Sequence, residues 1–150
     1  MEFANIEAIL AFAIEKEQET AEFYVWASGL SDRANLRTMF LDLAGEERKH
    51  EAMLKGLDPR HLQTHLLAPV RDLKISDYLV DVAFSPDMDY QDALILATKR
   101  EGRAQQFYLD LATHTDESAL KNLFAVLAQE EARHKLRLET EYDENVLSDN

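Results

Sequence analysis

Two copies of Glu-x-x-His, Glu47/His50 and Glu131/His134, stand 84 residues apart, and each follows a lone glutamate, Glu17 or Glu101, by 30 residues. On a helix, side chains at i and i+3 occupy adjacent turns of one face. Four carboxylates and two imidazoles brought together suit a pair of first-row transition metals. Each ion would take one imidazole and one terminal carboxylate, while the remaining two carboxylates bridge. A single Glu-x-x-His is weak evidence, because charged residues at that spacing are common. Two copies, each tied to a glutamate at a fixed distance, form a specific pattern.

The surroundings of these residues sharpen the argument. Leu36, Phe40, Leu43, Glu47, His50 and Leu54 repeat as Leu120, Phe124, Leu127, Glu131, His134 and Leu138. Their 4-3-4-3-4 spacing is the inward stripe of a packed helix. A glutamate and a histidine therefore fall where leucines belong, and burying them without partners costs several kcal/mol per charge. A metal ion would offset that cost. Upstream, one helix carries the stripe Leu10, Ala13, Glu17, Ala21, Tyr24 and another carries Leu94, Ala97, Glu101, Ala104, Tyr108, all but the Ala21/Ala104 pair keeping the 84-residue offset. Tyr24 and Tyr108 stand seven residues beyond their glutamates, either to donate hydroxyls to the ligand carboxylates or to fill the core as aromatics.

The elements needed to position this set are four long helices. Between 13–54 and 97–138, 13 of 42 positions are identical, which marks a duplicated helical hairpin. The chain reads as a single domain, 1–150, in an all-α class. Hairpin 1 spans about 5–56, a crossover occupies 57–86, and hairpin 2 spans about 87–145. Helix 1 is expected from about Asn5 to Ser28, ended by Gly29. Helix 2 follows Asp32 and runs to near Gly56. Helix 3 follows Ser85-Pro86-Asp87 and reaches Thr113, and helix 4 runs from after Asp116 to Tyr142. Asp32 and Asp116 occupy places where helix N-caps belong. Short links make each pair antiparallel. The long crossover, with a short helix expected over Ile75–Ala83, lets helices 2 and 3 run parallel.

Glu46 and Glu130 repeat too, but lie about 100° around the helix from the ligand stripe, so a solvent-facing role is expected ahead of a supporting one. His61 and His65 could hold a metal only if their segment is helical, and they are read as surface histidines. His114 is assigned to a turn, and Trp26 to packing.

Composition agrees with a soluble helical protein. The 150 residues are 46% hydrophobic and 30% charged, with four glycines and three prolines, few punctuators for a β-rich fold. No cysteine is present, which removes disulfides, thiolate metal sites and iron–sulfur clusters from consideration. A net charge of −13 disfavours nucleic acid. The apolar run 8–14 lacks a basic flank and a cleavage site and is too short to span a bilayer. No signal peptide or membrane segment is expected, and the cytoplasm is the default compartment.

The segments A-I-E-K-E-Q-E-T-A-E-F-Y (13–24), L-A-G-E-E-R-K-H (43–50), A-T-K-R-E-G-R-A-Q-Q-F-Y (97–108) and L-A-Q-E-E-A-R-H (127–134) resemble the four helices of the rubrerythrin branch of the ferritin-like superfamily. The resemblance implies a ferritin-like four-helix bundle of two hairpins joined by a long crossover. It also implies a di-iron carboxylate site that reacts with hydrogen peroxide or dioxygen, in a homodimer. Its ligands would be Glu17, Glu47, His50, Glu101, Glu131 and His134, with Glu47 and Glu131 bridging. Two departures stand out. Full-length rubrerythrins append a cysteine-bound iron module that feeds electrons to the site, and these residues contain none, so a separate electron donor is implied. They also carry a glutamate where this chain has Ala104. Three functions stay open at this point: an oxidoreductase, a ferroxidase that handles iron as ferritins do, and a metal-binding bundle without turnover. Manganese or zinc would also suit the ligands.

Overall fold

A computed structural model of the chain describes residues 6–67, 75–80 and 84–147. Four long helices dominate: α1 (Ile6–Ala27), α2 (Ala34–Lys55), α4 (Tyr90–Thr113) and α5 (Ser118–Tyr142). A short helix, α3 (Pro59–His65), and a 3-10 turn over Ile75–Tyr78 belong to the crossover, and a π-helical turn over Asp143–Leu147 follows α5. Among the described residues there is no strand beyond one isolated bridge between Leu66 and Thr115. None of the described helices is long and apolar enough to cross a membrane.

The packing shows the topology. Two apolar clusters fill the bundle. One contains Ile9, Leu10 and Ala13 of α1 with Leu54, Phe107, Leu111, Phe124 and Leu127. The other contains Tyr24 and Ala27 of α1 with Phe40, Leu43, Leu94, Ala97 and Leu138. Helix α1 therefore runs from the first cluster to the second, and α2 runs back. Helix α4 also runs from second to first, parallel to α2, and α5 returns. This is the ferritin-like bundle. Between the clusters, every long helix contributes its glutamate or its Glu-x-x-His at the same level. Fully burying a leucine or phenylalanine contributes roughly 1.5–3 kcal/mol, so the two clusters hold the polar layer in place from both sides.

The crossover is anchored, with α3 as its first fixed point. Pro59 takes the first helical position, where its missing N–H costs nothing. The Asp58 side chain accepts from the Arg60 N–H at 3.0 Å. Leu62 and Leu66 are buried in the first cluster. Further on, the Tyr78 hydroxyl donates to Asp110 at 2.6 Å, and its ring meets Phe107 edge-on at 5.0 Å. The short helix expected over 75–83 is a 3-10 turn over 75–78, while 81–83 lie outside the described residues, as does Asn5.

The expected N-caps are corrected. Helix α2 starts behind Arg33 and α5 behind Glu117, and neither receives a side-chain cap. Ser31 Oγ takes the Arg33 N–H at 3.2 Å, while Asp116 is committed to His65 at 2.8 Å. Asp89, by contrast, caps α4, its side chain accepting from the Asp92 N–H at 2.8 Å. Gly29 lies just past the end of α1, its N–H donating to the Trp26 carbonyl at 3.1 Å. Trp26 packs edge-on against Phe84 at 5.0 Å, and His114 closes α4 in a turn.

Candidate metal centre

The polar layer brings all six expected residues together. Glu17, Glu47, His50, Glu101, Glu131 and His134 are each 0–4% exposed. They form two overlapping groups, one of Glu17, Glu47, His50 and Glu131, the other of Glu47, Glu101, Glu131 and His134, with donor atoms in each within 4.8 Å of one another. The residues shared by both groups are Glu47 and Glu131. A shift of 84 residues turns one group into the other, so the sequence repeat is a twofold relation in space.

The histidines aim their Nδ1 atoms into the layer. His50 Nδ1 lies 2.6 Å from Glu131, 3.7 Å from Glu17 and 3.9 Å from Glu47. His134 Nδ1 lies 2.8 Å from Glu47, 3.5 Å from Glu101 and 3.8 Å from Glu131. The outward Nε2 atoms meet Glu130 and Glu46, His50 donating to Glu130 and His134 to Glu46. A carboxylate that takes the outer N–H fixes the tautomer whose inner nitrogen is a free lone pair. Glu46 is exposed and Glu130 half-buried, so the solvent-facing expectation holds for Glu46 and in part for Glu130, but the supporting role holds as well: each reaches across to a histidine of the other hairpin. The angle from the stripe on its own helix turns it toward the neighbouring one.

Tyr24 and Tyr108 make the same crossing contact. Tyr24 donates to Glu101 Oε1 and Tyr108 to Glu17 Oε1, both at 2.5 Å. Both roles weighed for them hold, because the rings are buried in the core clusters. Burial first, and then the adjacent carboxylates, push both phenols well above their ordinary value, so the hydroxyls keep their protons and remain donors. In metal-free protein, Tyr24→Phe or Tyr108→Phe strands a buried carboxylate oxygen and should lower stability by about 1–3 kcal/mol, read by thermal denaturation. An unchanged melting temperature would reduce the hydroxyls to bystanders.

The layer is short of positive charge. No lysine or arginine is among the buried described residues. Burial and then repulsion from Glu101 push the Glu47 carboxyl well up, and burial with the charges of Glu101 and Glu47 does the same to Glu131. Glu101 goes the other way. Burial raises it, but the neighbouring Glu131 carboxyl, His134 and the Tyr24 hydroxyl outweigh burial and lower it. Burial lowers both imidazoles, and the carboxylates around them outweigh it. Glu17 and Glu130 hold His50 up, and Glu101 and Glu46 hold His134 up. Even so, Glu17 Oε2, His50 Nδ1, Glu101 Oε2 and both oxygens of Glu131 have no hydrogen-bond partner. Buried acceptors are almost always paired, and orphaned acceptors clustered this closely fit bound metal.

Access differs on the two sides. A cavity of about 210 Å³ reaches Glu17, Glu47, Glu101 and Glu131 past Phe12, Ala104, Phe107 and Val80, with Lys16, Arg100 and Arg103 also lining it. The histidine side faces a charged hollow containing Lys49, Arg133 and Arg137. Ala104 opens room that a glutamate would occupy.

Sequence reasoning passed over Glu51. It is buried beside His50, accepts from Gln18 of α1 at 2.9 Å and from Lys55 at 2.6 Å, and is held down to about 2, chiefly by its Lys55 and Gln18 hydrogen bonds. Its Lys55 partner at i+4 was a readable signal.

Comparison with known proteins agrees with this geometry. The family model described as Rubrerythrin matches residues 7–142. A solved structure from Thermotoga maritima, described as a ferritin-like diiron-carboxylate protein, is 20% identical. The match covers 97% of this chain and 99% of that one, with a TM-score of 0.74. A hypothetical protein from Pyrococcus furiosus is 29% identical, with 93% of this chain and 89% of that one covered and a TM-score of 0.70. Among curated proteins, none matches the chain.

Proposed function

The chain belongs to the rubrerythrin family, and from that premise we propose that it is a di-iron oxidoreductase reducing hydrogen peroxide or dioxygen with electrons from a separate donor. The observation that supports this reading is the set of orphaned, inward-facing donor atoms around two overlapping four-residue groups. Glu17 with His50 would hold one ion and Glu101 with His134 the other, and Glu47 and Glu131 would bridge. Two ferrous ions, when bound, supply two electrons to the oxidant.

The protein's part is to position and to exclude. Tyr24 and Tyr108 orient the terminal carboxylates Glu101 and Glu17 through hydroxyls that stay protonated. Glu130 and Glu46 orient the imidazoles. The cavity on the carboxylate side gives a small oxidant a path between aromatic walls, while the core clusters on either side keep bulk water out of the layer. We place the protein in the cytoplasm as a homodimer, as the family resemblance and the lack of cysteine suggest.

The test is a single turnover followed by a rescue. Reduced, iron-loaded protein mixed with hydrogen peroxide under anaerobic conditions should be oxidised rapidly, consuming one peroxide per iron pair, and should then stop. These residues carry no cysteine and hence no thiolate iron centre to refill the site. A rubredoxin-type donor should restore turnover. Dioxygen-dependent uptake of added iron, with peroxide inert, would instead identify iron handling. A site that neither oxidant touches would leave a metal-binding bundle without turnover.

A further inference from the structure

At one end of the bundle, His61 and His65 of α3 face Glu117, the residue preceding α5. His61 Nε2 lies 2.5 Å from Glu117 Oε2, and His65 Nε2 lies 3.1 Å from the same oxygen. The three donor atoms fall within 4.8 Å of one another. We propose that His61, His65 and Glu117 form a second metal site, independent of the dinuclear layer, that takes one divalent zinc-class ion and fastens the crossover to the α4–α5 turn.

Three observations carry this. The first is the tautomer. His65 Nδ1 meets Asp116 Oδ1 at 2.8 Å, so the proton of neutral His65 sits on Nδ1 and its Nε2 presents a lone pair. That lone pair faces a carboxylate oxygen, also an acceptor, and the two repel unless a proton or a metal cation stands between them. A carboxylate behind the ligating histidine is the usual support of an imidazole metal ligand.

The second is that Glu117 has no other task. It occupies the N-cap position of α5 but makes no side-chain cap, and its carboxylate is turned to the two rings instead. Its N–H is held by Thr115 Oγ1 at 3.5 Å.

The third is backbone rigidity. The Leu67 N–H donates to the His114 carbonyl at 2.7 Å, and the Asp116 N–H donates to the His65 carbonyl at 3.0 Å. Leu66 pairs with Thr115 and is buried. The segments bearing the ligands are thus fixed to each other before any ion arrives.

Two imidazoles and one carboxylate with an open fourth position make a zinc-type donor set. His61 is 49% exposed at its side chain, so water can complete the coordination. The ligands are reached from solvent, not through the bundle.

The experiment is equilibrium dialysis of iron-loaded protein against buffered Zn2+, with zinc and iron both counted per chain. Wild type should take up one zinc while keeping its iron. His61→Ala and His65→Ala should each lose that zinc with iron content and melting temperature retained. Asp116→Asn should weaken zinc binding by about 10–100-fold, the usual effect of removing the group behind a metal-bound histidine. Zinc should also slow hydrogen exchange at the Leu67 and Asp116 amides in wild type alone. Equal zinc uptake by wild type and both histidine variants would overturn the proposal, as would no uptake by wild type, leaving the cluster as ion-paired surface histidines. Zinc entering only as iron leaves would assign it to the buried layer and overturn the proposal as well.

Discussion

Metal-free protein should become more stable as the pH is lowered from about 8 towards about 5, the reverse of ordinary acid destabilisation. Glu47 and Glu131 have folded-state values pushed well above the ordinary carboxyl value, by burial and by the carboxylates around them. Such groups stabilise the fold fully below that ordinary value, and the contribution is lost as pH rises through the folded value. His50 and His134 are raised as well, against the effect of burial, by their neighbouring carboxylates. Their contribution is complete below the ordinary histidine value and disappears as pH rises through the folded one. All four groups act in one direction, and each proton held in excess by the folded state changes stability by about 1.4 kcal/mol per pH unit. Glu101 is lowered, so its contribution is lost only at more acid pH, which should bring the curve to a maximum and then down. Loaded protein should do the opposite, releasing metal as protons compete for the same donor atoms, and it should be the more stable form at neutral pH. Melting temperatures across pH, with and without chelator, decide this. A metal-free form that grows steadily more stable towards alkaline pH would contradict the buried carboxyl layer.

The second large effect concerns the shared carboxylates. Glu47→Ala and Glu131→Ala should each abolish binding of both ions, because each residue belongs to both donor groups. Glu17→Ala and Glu101→Ala each belong to one group and should cost one ion more readily than two. Metal analysis of the four purified variants, set beside their helical content, separates the cases. Two metals per chain in either Glu47→Ala or Glu131→Ala would remove the bridging assignment. In the metal-free state, replacing a buried carboxyl that must hold a proton relieves crowding, so these variants should lose less stability than a cavity of that size ordinarily costs.

The helices and the donor set were readable because they rest on local periodicity. Leu36 to Leu54 and Leu120 to Leu138 state both the helix and the face it buries, and a glutamate or histidine on that face is conspicuous by residue type. The support shell was not readable in the same way. Glu46 and Glu130 sit off the stripe of their own helices, and a helical wheel says nothing about a neighbouring helix 80 to 88 residues distant in sequence. Their partners are set by packing. The caps failed for a related reason: Asp116 had a competing partner, His65, placed by the crossover. Helix α3 is too short to show periodicity and is held by Leu62 and Leu66 in the core, although Asp58-Pro59 did announce a helix start.

The contacts around the polar layer cross between the hairpins: Tyr24 to Glu101, Tyr108 to Glu17, Glu46 to His134, Glu130 to His50. Duplication ordinarily frees one copy to diverge while the other keeps the original task. That freedom is absent here. A histidine altered in the second half leaves a glutamate of the first half without its partner, and the converse holds. Neither half owns a complete site, so the two copies stay tied to each other's chemistry wherever they meet, while the surfaces facing away from the layer remain open to drift. Most identities along the repeat fall on the buried face, and the ligand positions Glu17/Glu101, Glu47/Glu131 and His50/His134, with the supporting Tyr24/Tyr108 and Glu46/Glu130, are all among them.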